Sequence, residues 1–145
     1  MELLVKTFDR LTTAELYEIL KSRCEVFAVG QRIICVDEDD VDYKSLHCFF
    51  YENGRVTAYL RAYPDESREN TVKIGRVLVL ERGKGVGTEL MKKSLAAAKE
   101  FYGCERIHVD AQKQAEGFYK TLGFETVSGE YLEEGVVHVD MELEL

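Results

Sequence analysis

The stretch VKIGRVLVLERGKGVGTELMKKSLAAAKEFY, residues 72–102, decides the fold. Its first part, 72–80, has the branched apolar residues of a buried strand, and its last part, 86–102, repeats apolar residues at helical spacing. Three glycines, Gly83, Gly85 and Gly87, lie in the turn between them. The pattern therefore predicts a strand, a glycine-rich turn and a long helix in direct succession.

This turn predicts a binding site for an anion. The first N–H groups of a helix have no partner within the helix, and they carry partial positive charge. Glycine has no side chain, so a phosphate group can approach those N–H groups closely. Such a site needs no excess of basic residues, which matters because the formal net charge of the chain is −8.

Two common nucleotide-binding motifs do not fit the turn. A P-loop would have glycine at position 78, which is Leu78 here, and Ser or Thr directly after Lys84, where the chain has glycine. The dinucleotide pattern Gly-x-Gly-x-x-Gly fails because Thr88 and Leu90 stand at its last position in the two alignments. The turn therefore predicts a phosphate ligand of another kind.

The residues before this stretch predict one helix and three strands. Thr12 and Glu15 form a capping box at the start of a helix that runs to about residue 28. Asn53-Gly54 is a dipeptide suited to the hairpin turn between the second and third strands. The stretch 30–45 predicts a loop or a short irregular helix, and the acidic run 37–42 within it is typical of a solvated loop. The predicted strands cover 2–8, 46–52 and 55–63.

The residues after the stretch complete an α/β pattern. Gly103 and Gly123 are well placed to end the helices before them. The predicted elements are a strand over 105–111, a short helix over 113–122 and strands over 124–129 and 135–144. We therefore expect one domain over 1–145, with a central mixed, mostly antiparallel β-sheet flanked by helices.

Composition and charge exclude several classes of protein. The net charge of −8 argues against general nucleic-acid binding, which needs a broad basic face. No apolar run reaches the length of a membrane span, and the first residues lack the basic region of a signal peptide. We therefore expect a cytoplasmic protein with neither a nucleic acid nor a membrane as partner.

The cysteines and histidines are too scattered to predict a disulfide framework or a metal site. No Cys-x-x-Cys pair occurs, and the histidines are far apart in sequence. We therefore expect reduced thiols and no bound metal. The residues concerned are Cys24, Cys35, Cys48, Cys104, His47, His108 and His138.

The glycine-rich turn and a second motif together resemble the GNAT family of N-acetyltransferases. Arg82-x-x-Gly85-x-Gly87 matches the turn of that family, between a strand and a helix. The segment FYKTLGF, residues 118–124, matches the short helix and glycine that follow the family's next strand. Further pieces spread along the chain resemble the ElaA-like branch, including 74–77, 111–112 and 129–141.

The resemblance implies that acetyl-coenzyme A is the cosubstrate. The main chain of Val77, Leu78 and Val79 would pair with the pantetheine arm as an added strand would. The amides of the turn would hold the pyrophosphate, with charge added by Arg82 and Lys84. The resemblance also implies that Gln112, Phe118 and Tyr119 line the site. The turn residues assigned to the cofactor are Arg82, Gly83, Lys84, Gly85, Val86, Gly87 and Thr88.

The implied reaction is direct attack by an acceptor amine on the thioester within a ternary complex. Tyr119 would be the catalytic residue, protonating the coenzyme A thiolate as it leaves. The base that takes the proton of the amine stays open among Asp37, Glu38, His47, Glu133 and His138. His108 and Asp110 share a strand face, but nothing else in the sequence makes them a catalytic pair. A homodimer is compatible with this type of fold.

Three other functions are compatible with parts of the sequence. The chain could be a coenzyme A-binding module that regulates a partner without turnover, or an interaction domain that retains only the fold. A thiolate acyl carrier using Cys48 or Cys104 is the third alternative. The first predicts thioester binding without turnover, the second no binding, and the third a covalent acyl-enzyme.

Overall fold

The computed structural model describes residues 1–145, which form one open sheet with helices on both faces. The strands are β1 Leu4–Thr7, β2 Leu46–Glu52, β3 Arg55–Pro64, β4 Thr71–Val79, β5 Arg106–Gln112, β6 Glu125–Thr126, β7 Tyr131–Glu133 and β8 Val136–Glu144. The α-helices are α1 Thr13–Arg23, α2 Val86–Tyr102 and α3 Glu116–Thr121. Short 3₁₀ helices cover Phe8–Arg10, Val41–Lys44 and Lys113–Ala115, and a π-helical segment, Cys24–Gly30, continues α1.

The sheet has the order β1-β2-β3-β4-β5-β8-β6, with β7 paired to β8. Every pair is antiparallel except β4 and β5. The predicted mixed, mostly antiparallel sheet flanked by helices is therefore confirmed. No helix combines the length and apolar composition that a bilayer-spanning helix needs.

Each face of the sheet has its own apolar core. Leu90 and Met91 of α2 and Tyr119 of α3 belong to the larger core, which covers one face. Ile19 of α1 packs with Tyr59 and their neighbours in a smaller core on the opposite face. Because α1 lies over the β2 and β3 side of the sheet, the outward side chains of β5 and β8 on that face are not covered by a helix.

The parallel pairing of β4 and β5 stops halfway along the strands. Only Thr71–Ile74 and 106–109 are paired, so 75–79 and 110–112 separate from each other. A β-bulge accounts for this divergence: two residues of β4, Arg76 and Val77, lie opposite a single residue of β3. Arg76 has a φ of 51°, and a bulge of this kind bends the strand that carries it.

The predicted capping box of α1 and the predicted glycine end of α2 are confirmed, whereas α1 ends at Arg23 and continues as a π-helical segment. The side chain of Thr12 accepts from the N–H of Glu15, and the Glu15 carboxylate accepts from the N–H of Thr12 at 2.8 Å, which completes the capping box. Gly103 ends α2 in the left-handed conformation, with φ of 63°, and its N–H donates to Lys99 O at 2.9 Å. Both of these ends depend on hydrogen bonds between residues that are close in the sequence.

The C-terminal strands differ from their prediction. The strand expected over 124–129 is only Glu125–Thr126, and the three-residue strand β7 was not predicted. β7 forms a hairpin with β8 through Glu134 and Gly135, which have φ values of 49° and 74°. Glutamate is an unusual residue at positive φ, so the sequence lacks the Asn-Gly signal that identified the first hairpin.

Three carboxylates of the acidic run bind arginines, of which Arg23 and Arg61 are buried, so the prediction of a solvated loop is wrong for these three. Arg23, which is fully buried, is 2.7 Å from Asp37 through Nε and 2.6 Å from Asp42 through Nη1. Arg61 reaches the same Asp42 oxygen at 3.0 Å. A sequence pattern of consecutive acids gives no sign of these partners, since the arginines come from α1 and β3.

Two further contacts fasten the acidic run to the centre of the sheet. Asp39 takes two hydrogen bonds from Arg61, at 2.7 and 2.6 Å. Arg76, in the bulge of β4, is 3.0 Å from Asp37 through Nε and donates to Asp37 O at 2.9 Å. The positive charges of three arginines therefore offset the negative charges of three aspartates, and these ion pairs hold the loop before β2 against the sheet.

We predict that this network weakens at acid pH. Burial disfavours the charged form of Asp39, but its hydrogen bonds to Arg61 and the charges of Arg61 and Arg76 outweigh burial and lower its pKa to about 2. A carboxyl group whose pKa is lowered on folding stabilises the protein above its unfolded pKa, and this contribution disappears as the pH falls through the folded pKa. After allowance for solvent screening, the contribution of Asp39 to the free energy of unfolding should fall by about 1–2 kcal/mol between pH 4 and pH 2.

Urea unfolding at several pH values measures this effect. Asp39→Asn should lose less free energy of unfolding over that range than the wild type does. Asp40→Asn is the matched control, because Asp40 is exposed and makes no ion pair. Equal acid sensitivity of the wild type and Asp39→Asn would contradict the prediction.

Candidate functional site

The divergence of β4 and β5 opens a cleft between the carboxyl ends of two parallel strands. Residues 75–79 form one wall and 110–112 form the other. The chain leaves β4 into the glycine-rich turn and α2, and it leaves β5 into a 3₁₀ turn and α3. Helix starts and strand ends therefore meet at one edge of the sheet, where α/β folds commonly bind ligands.

The three β4 residues predicted to contact pantetheine lie along this cleft. Val77 and Val79 pack against the larger core, and Leu78 is buried in the smaller one. On one side their main chain pairs with β3, where Leu78 lies opposite Tyr59. On the other side no strand pairs with them, so that edge can accept an extended ligand.

The glycine-rich turn presents a row of unbonded main-chain donors. None of the N–H groups from Glu81 to Thr88 donates to a protein acceptor. Gly83 and Gly85 have φ values of 83° and 74°, so both positions favour glycine on conformational grounds. Gly85 is the N-cap of α2 and supplies no side chain to satisfy the first N–H groups of the helix. This arrangement suits an anion such as a phosphate.

The charged residues of the turn are both exposed. Arg82 makes no ion pair, whereas Lys84 Nζ is 2.8 Å from Glu81 Oε2. An exposed pair of this kind contributes little to stability, so Lys84 can exchange this partner for another anion at low cost.

The start of α2 also contacts α3. A Cβ added at Gly87 would lie 3.5 Å from the Phe118 ring and 3.7 Å from Val79. β4, α2 and α3 therefore meet at Gly87, where the absence of a side chain leaves space beside Phe118. Val86 and Thr88, the neighbours of Gly87, are half-buried.

Tyr119 is a buried phenol whose hydroxyl group makes no hydrogen bond within the protein. The residue is 7% exposed, and its ring packs edge-on against Phe118 and Phe124, with centroids 5.4 and 5.5 Å away. Burial alone raises the pKa of Tyr119 to about 12. The hydroxyl group therefore keeps its proton at neutral pH and is free to donate it to a ligand.

Gln112 lies at the end of β5, but its side-chain amide is already engaged. Its Nε2 donates to Gln31 Oε1 at 2.8 Å, and its Oε1 accepts from Gln31 Nε2 at 3.1 Å and from Gln114 Nε2 at 2.8 Å. This reciprocal pair joins the segment after α1 to the second wall of the cleft. The interaction of Gln112 with Gln31 has no signal in the sequence, since the two residues lie far apart in the chain.

Three of the five candidate bases are placed unfavourably. Asp37 is bound by two arginines, and Glu38 is exposed and makes no hydrogen bond or ion pair. His47 is buried between the hydroxyl group of Tyr59, at 2.7 Å, and the carbonyl of Asp42, at 2.9 Å. Burial lowers the pKa of His47, so it is a neutral, hydrogen-bonded histidine of the core.

The other two candidates lie together on the sheet face that α1 leaves uncovered. His138 Nδ1 donates to Val136 O at 2.8 Å, which leaves Nε2 of the neutral ring as an acceptor. This Nε2 lies 3.5 Å from Glu133 Oε2. The ring of His138 also stacks on Tyr131, with an interplanar angle of 24°. Of the candidates, His138 alone has an imidazole nitrogen, Nε2, that makes no hydrogen bond within the protein.

Comparisons with known proteins agree with this architecture. The sequence model of the Acetyltransferase (GNAT) domain matches residues 15–145. A protein of the UPF0039 group from Schizosaccharomyces pombe is 38% identical, with 100% of this chain and 98% of that protein covered. The crystal structure of an acyl-CoA N-acyltransferase from Pseudomonas aeruginosa is 31% identical with a TM-score of 0.89, over 98% of this chain and 99% of that one.

The ElaA protein of Escherichia coli is similar in both sequence and structure. Its sequence is 33% identical over 94% of this chain and 92% of that protein. Its crystal structure has a TM-score of 0.90, with 99% of each chain covered. With a family match along most of its length and relatives of this similarity, the chain belongs to the GNAT acetyltransferase family, in the ElaA-like branch.

Proposed function

We propose that the protein transfers an acetyl group from acetyl-coenzyme A to an amine while both substrates are bound. The observation that carries this proposal is the row of unbonded N–H groups from Glu81 to Thr88 beside the cleft between β4 and β5. Membership of the GNAT family and the similarity to an acyl-CoA N-acyltransferase support the same class of reaction.

Coenzyme A fits the donors that the cleft offers. Its pyrophosphate would bind the N–H groups of residues 82–88, and Arg82 and Lys84 would add positive charge. Its pantetheine arm carries amides of its own, which can hydrogen bond to the unpaired main-chain edge of 77–79. Phe118, beside Gly87, would pack against the arm, and Gln112 would line the far wall.

In the reaction, the amine nitrogen attacks the carbonyl carbon of the thioester and forms a C–N bond. The negative charge that develops on the carbonyl oxygen would be held by an N–H group of residues 77–79. The C–S bond then breaks, and coenzyme A leaves as a thiolate. We assign the removal of the amine proton to Nε2 of His138, whose ring is oriented by the hydrogen bond from Nδ1 to Val136 O. The carboxylate of Glu133, 3.5 Å from Nε2, would stabilise the imidazolium that forms.

Tyr119 would stabilise the departing sulfur. A phenol with a pKa of about 12 cannot transfer its proton freely to an ordinary thiolate, since the gap to a thiol pKa near 8.5 is worth roughly 5 kcal/mol. Burial in the cleft raises the pKa of the leaving thiolate as well, which narrows the gap. The hydroxyl group would therefore donate a hydrogen bond to the sulfur first and transfer its proton as the C–S bond breaks.

We predict that Tyr119→Phe lowers turnover at least about tenfold and leaves coenzyme A affinity within about twofold. Turnover is measured by the release of free coenzyme A thiol with a panel of primary amines, and affinity by calorimetry. Because the hydroxyl group makes no hydrogen bond within the protein, the free energy of unfolding should change by less than about 0.5 kcal/mol.

Two outcomes would contradict parts of this mechanism. Unchanged turnover in Tyr119→Phe would leave Tyr119 as a packing residue only. Tight thioester binding by the wild type without turnover over the whole amine panel would instead identify a coenzyme A-binding module.

We also predict that Gly85→Asp weakens coenzyme A binding much more than Gly85→Asn does. A Cβ at Gly85 has no neighbour within 4 Å, and the strain of an L residue at a φ of 74° is shared by Asp and Asn, which adopt positive φ more readily than most residues. The two variants differ mainly by one negative charge beside the expected pyrophosphate. Calorimetry should show at least about a tenfold difference in Kd, falling with added salt. Equal affinities would place the pyrophosphate elsewhere.

A further inference from the structure

A separate cluster of polar side chains lies on the sheet face that α1 leaves uncovered. His108 and Asp110 project from β5, and Asp140 projects from β8 directly opposite Asp110. One atom from each side chain, an imidazole nitrogen and two carboxylate oxygens, lies within 4.8 Å of the other two. Groups of these types are common ligands of divalent transition metals.

The three atoms converge on a partly shielded position. His108 Nε2 is 3.1 Å from Asp110 Oδ1 and 3.7 Å from Asp140 Oδ1. The His108 side chain is fully buried, whereas those of Asp110 and Asp140 remain 21% and 23% exposed. A cation at this position would have protein on one side and access to water on the other.

Glu142 and Lys73 contact His108 and Asp110 through the atoms that do not face the other two side chains of the cluster. His108 Nδ1 lies 3.0 Å from Glu142 Oε2, and Lys73 Nζ lies 2.6 Å from Asp110 Oδ2. With the proton of a neutral His108 on Nδ1, donated to Glu142, the lone pair of Nε2 points towards the two aspartates. Histidine ligands of metals are commonly oriented by a carboxylate in this way.

The third group, Asp140, accepts a hydrogen bond of 2.5 Å from the hydroxyl group of Tyr131 on β7. Asp110 and Asp140 are also like charges directly opposite each other in a ladder, an arrangement that destabilises a sheet. Lys73 and Arg68 lie beside their Oδ2 atoms, at 2.6 and 3.9 Å, whereas the Oδ1 atoms of both aspartates face Nε2 of His108.

The surrounding charges match a divalent cation. Four carboxylates face two basic groups, so the net charge is −2 when His108 is neutral. Arg106 is 2.6 Å from Glu144 at the edge of the cluster, and this pair adds no net charge. The four carboxylates and two basic groups are Asp65, Asp110, Asp140, Glu142, Arg68 and Lys73.

We propose that His108, Asp110 and Asp140 bind one divalent transition-metal ion, for which Zn²⁺ is the best match. Zn²⁺ accepts imidazole and carboxylate ligands and prefers four of them, so three protein ligands leave one position for water. The ion would join β5 to β8 and relieve the repulsion between the two aspartates. The site is distinct from the glycine-rich turn, and it does not depend on acetyl transfer.

A proton on His108 is the alternative to the metal. Burial disfavours the charged imidazolium, but hydrogen bonds to Asp110 and Glu142 outweigh burial and raise the pKa of His108. A protonated ring would donate to both carboxylates and neutralise part of their charge. Zn²⁺ must displace that proton from Nε2, so the two occupants are mutually exclusive.

The test is nitrogen NMR of the three histidine rings during titration of the full chain with ZnCl₂. The exposed thiols Cys24 and Cys35 are first changed to serine, because they could bind zinc themselves. We expect saturation at one Zn²⁺ per chain, with a large shift of the His108 Nε2 resonance and little change at His47 and His138. This readout needs no substitution in the cluster and no enzymatic activity.

Calorimetry of variants gives the second measurement. Asp140→Asn should weaken Zn²⁺ binding at least about tenfold, whereas Glu144→Gln, on the same face of β8 but outside the cluster, should not. The proposal is overturned if His108 does not respond to millimolar Zn²⁺, if His138 responds in its place, or if both variants bind as the wild type does.

Discussion

The separation of β4 from β5 is the constraint on which the rest of the structure depends. Parallel neighbours normally hydrogen bond along their whole length, yet here the pairing ends after Ile74 and Val109. The bulge at Arg76 bends β4 away and leaves one edge of its main chain without a strand partner. The same divergence opens the cleft, and the start of α2 meets α3 beside it, at Gly87. The backbone therefore places the groups to which we assign binding and catalysis, while the side chains of the two cores stabilise that backbone.

Ion pairs around the cleft join the bulge of β4 to the loop before β2 and to α1, in addition to the apolar packing of the two cores. Arg76 joins the bulge to Asp37, and Asp37 also binds Arg23 of α1. Removing one partner would leave a buried charge without compensation, which commonly costs several kcal/mol. The balance of charges thus holds the loop before β2, α1 and the centre of the sheet in one arrangement. It also explains how an acidic protein can keep two arginines almost fully buried.

Local signals in the sequence predicted most of the fold. The capping box at Thr12, the Asn53-Gly54 turn and the glycine after α2 each depend on neighbouring residues only, and all three appear in the structure. The positions of the turn and of Phe118 and Tyr119 also followed from motifs. What the sequence could not predict depends on residues far apart in the chain. The ion pairs of the acidic run, the Gln31–Gln112 pair and the convergence of Asp110 with Asp140 arise only when the strands pair. β7 was missed because a three-residue strand with glutamate in its turn has no clear pattern.

The segment between Gln31 and Asp37 has a mechanical consequence. Gln31 is bonded to Gln112 on β5, and Asp37 is bonded to Arg76 on β4, so this short piece of chain connects two strands that no longer touch each other there. This irregular segment bridges the cleft where β4 and β5 have separated. Thermal motion that moves residues 75–79 away from 110–112 would therefore strain the Gln31–Gln112 pair and the contact of Arg76 with Asp37. The separation of β4 from β5 therefore depends on contacts made by a loop outside the sheet as well as on the strands themselves.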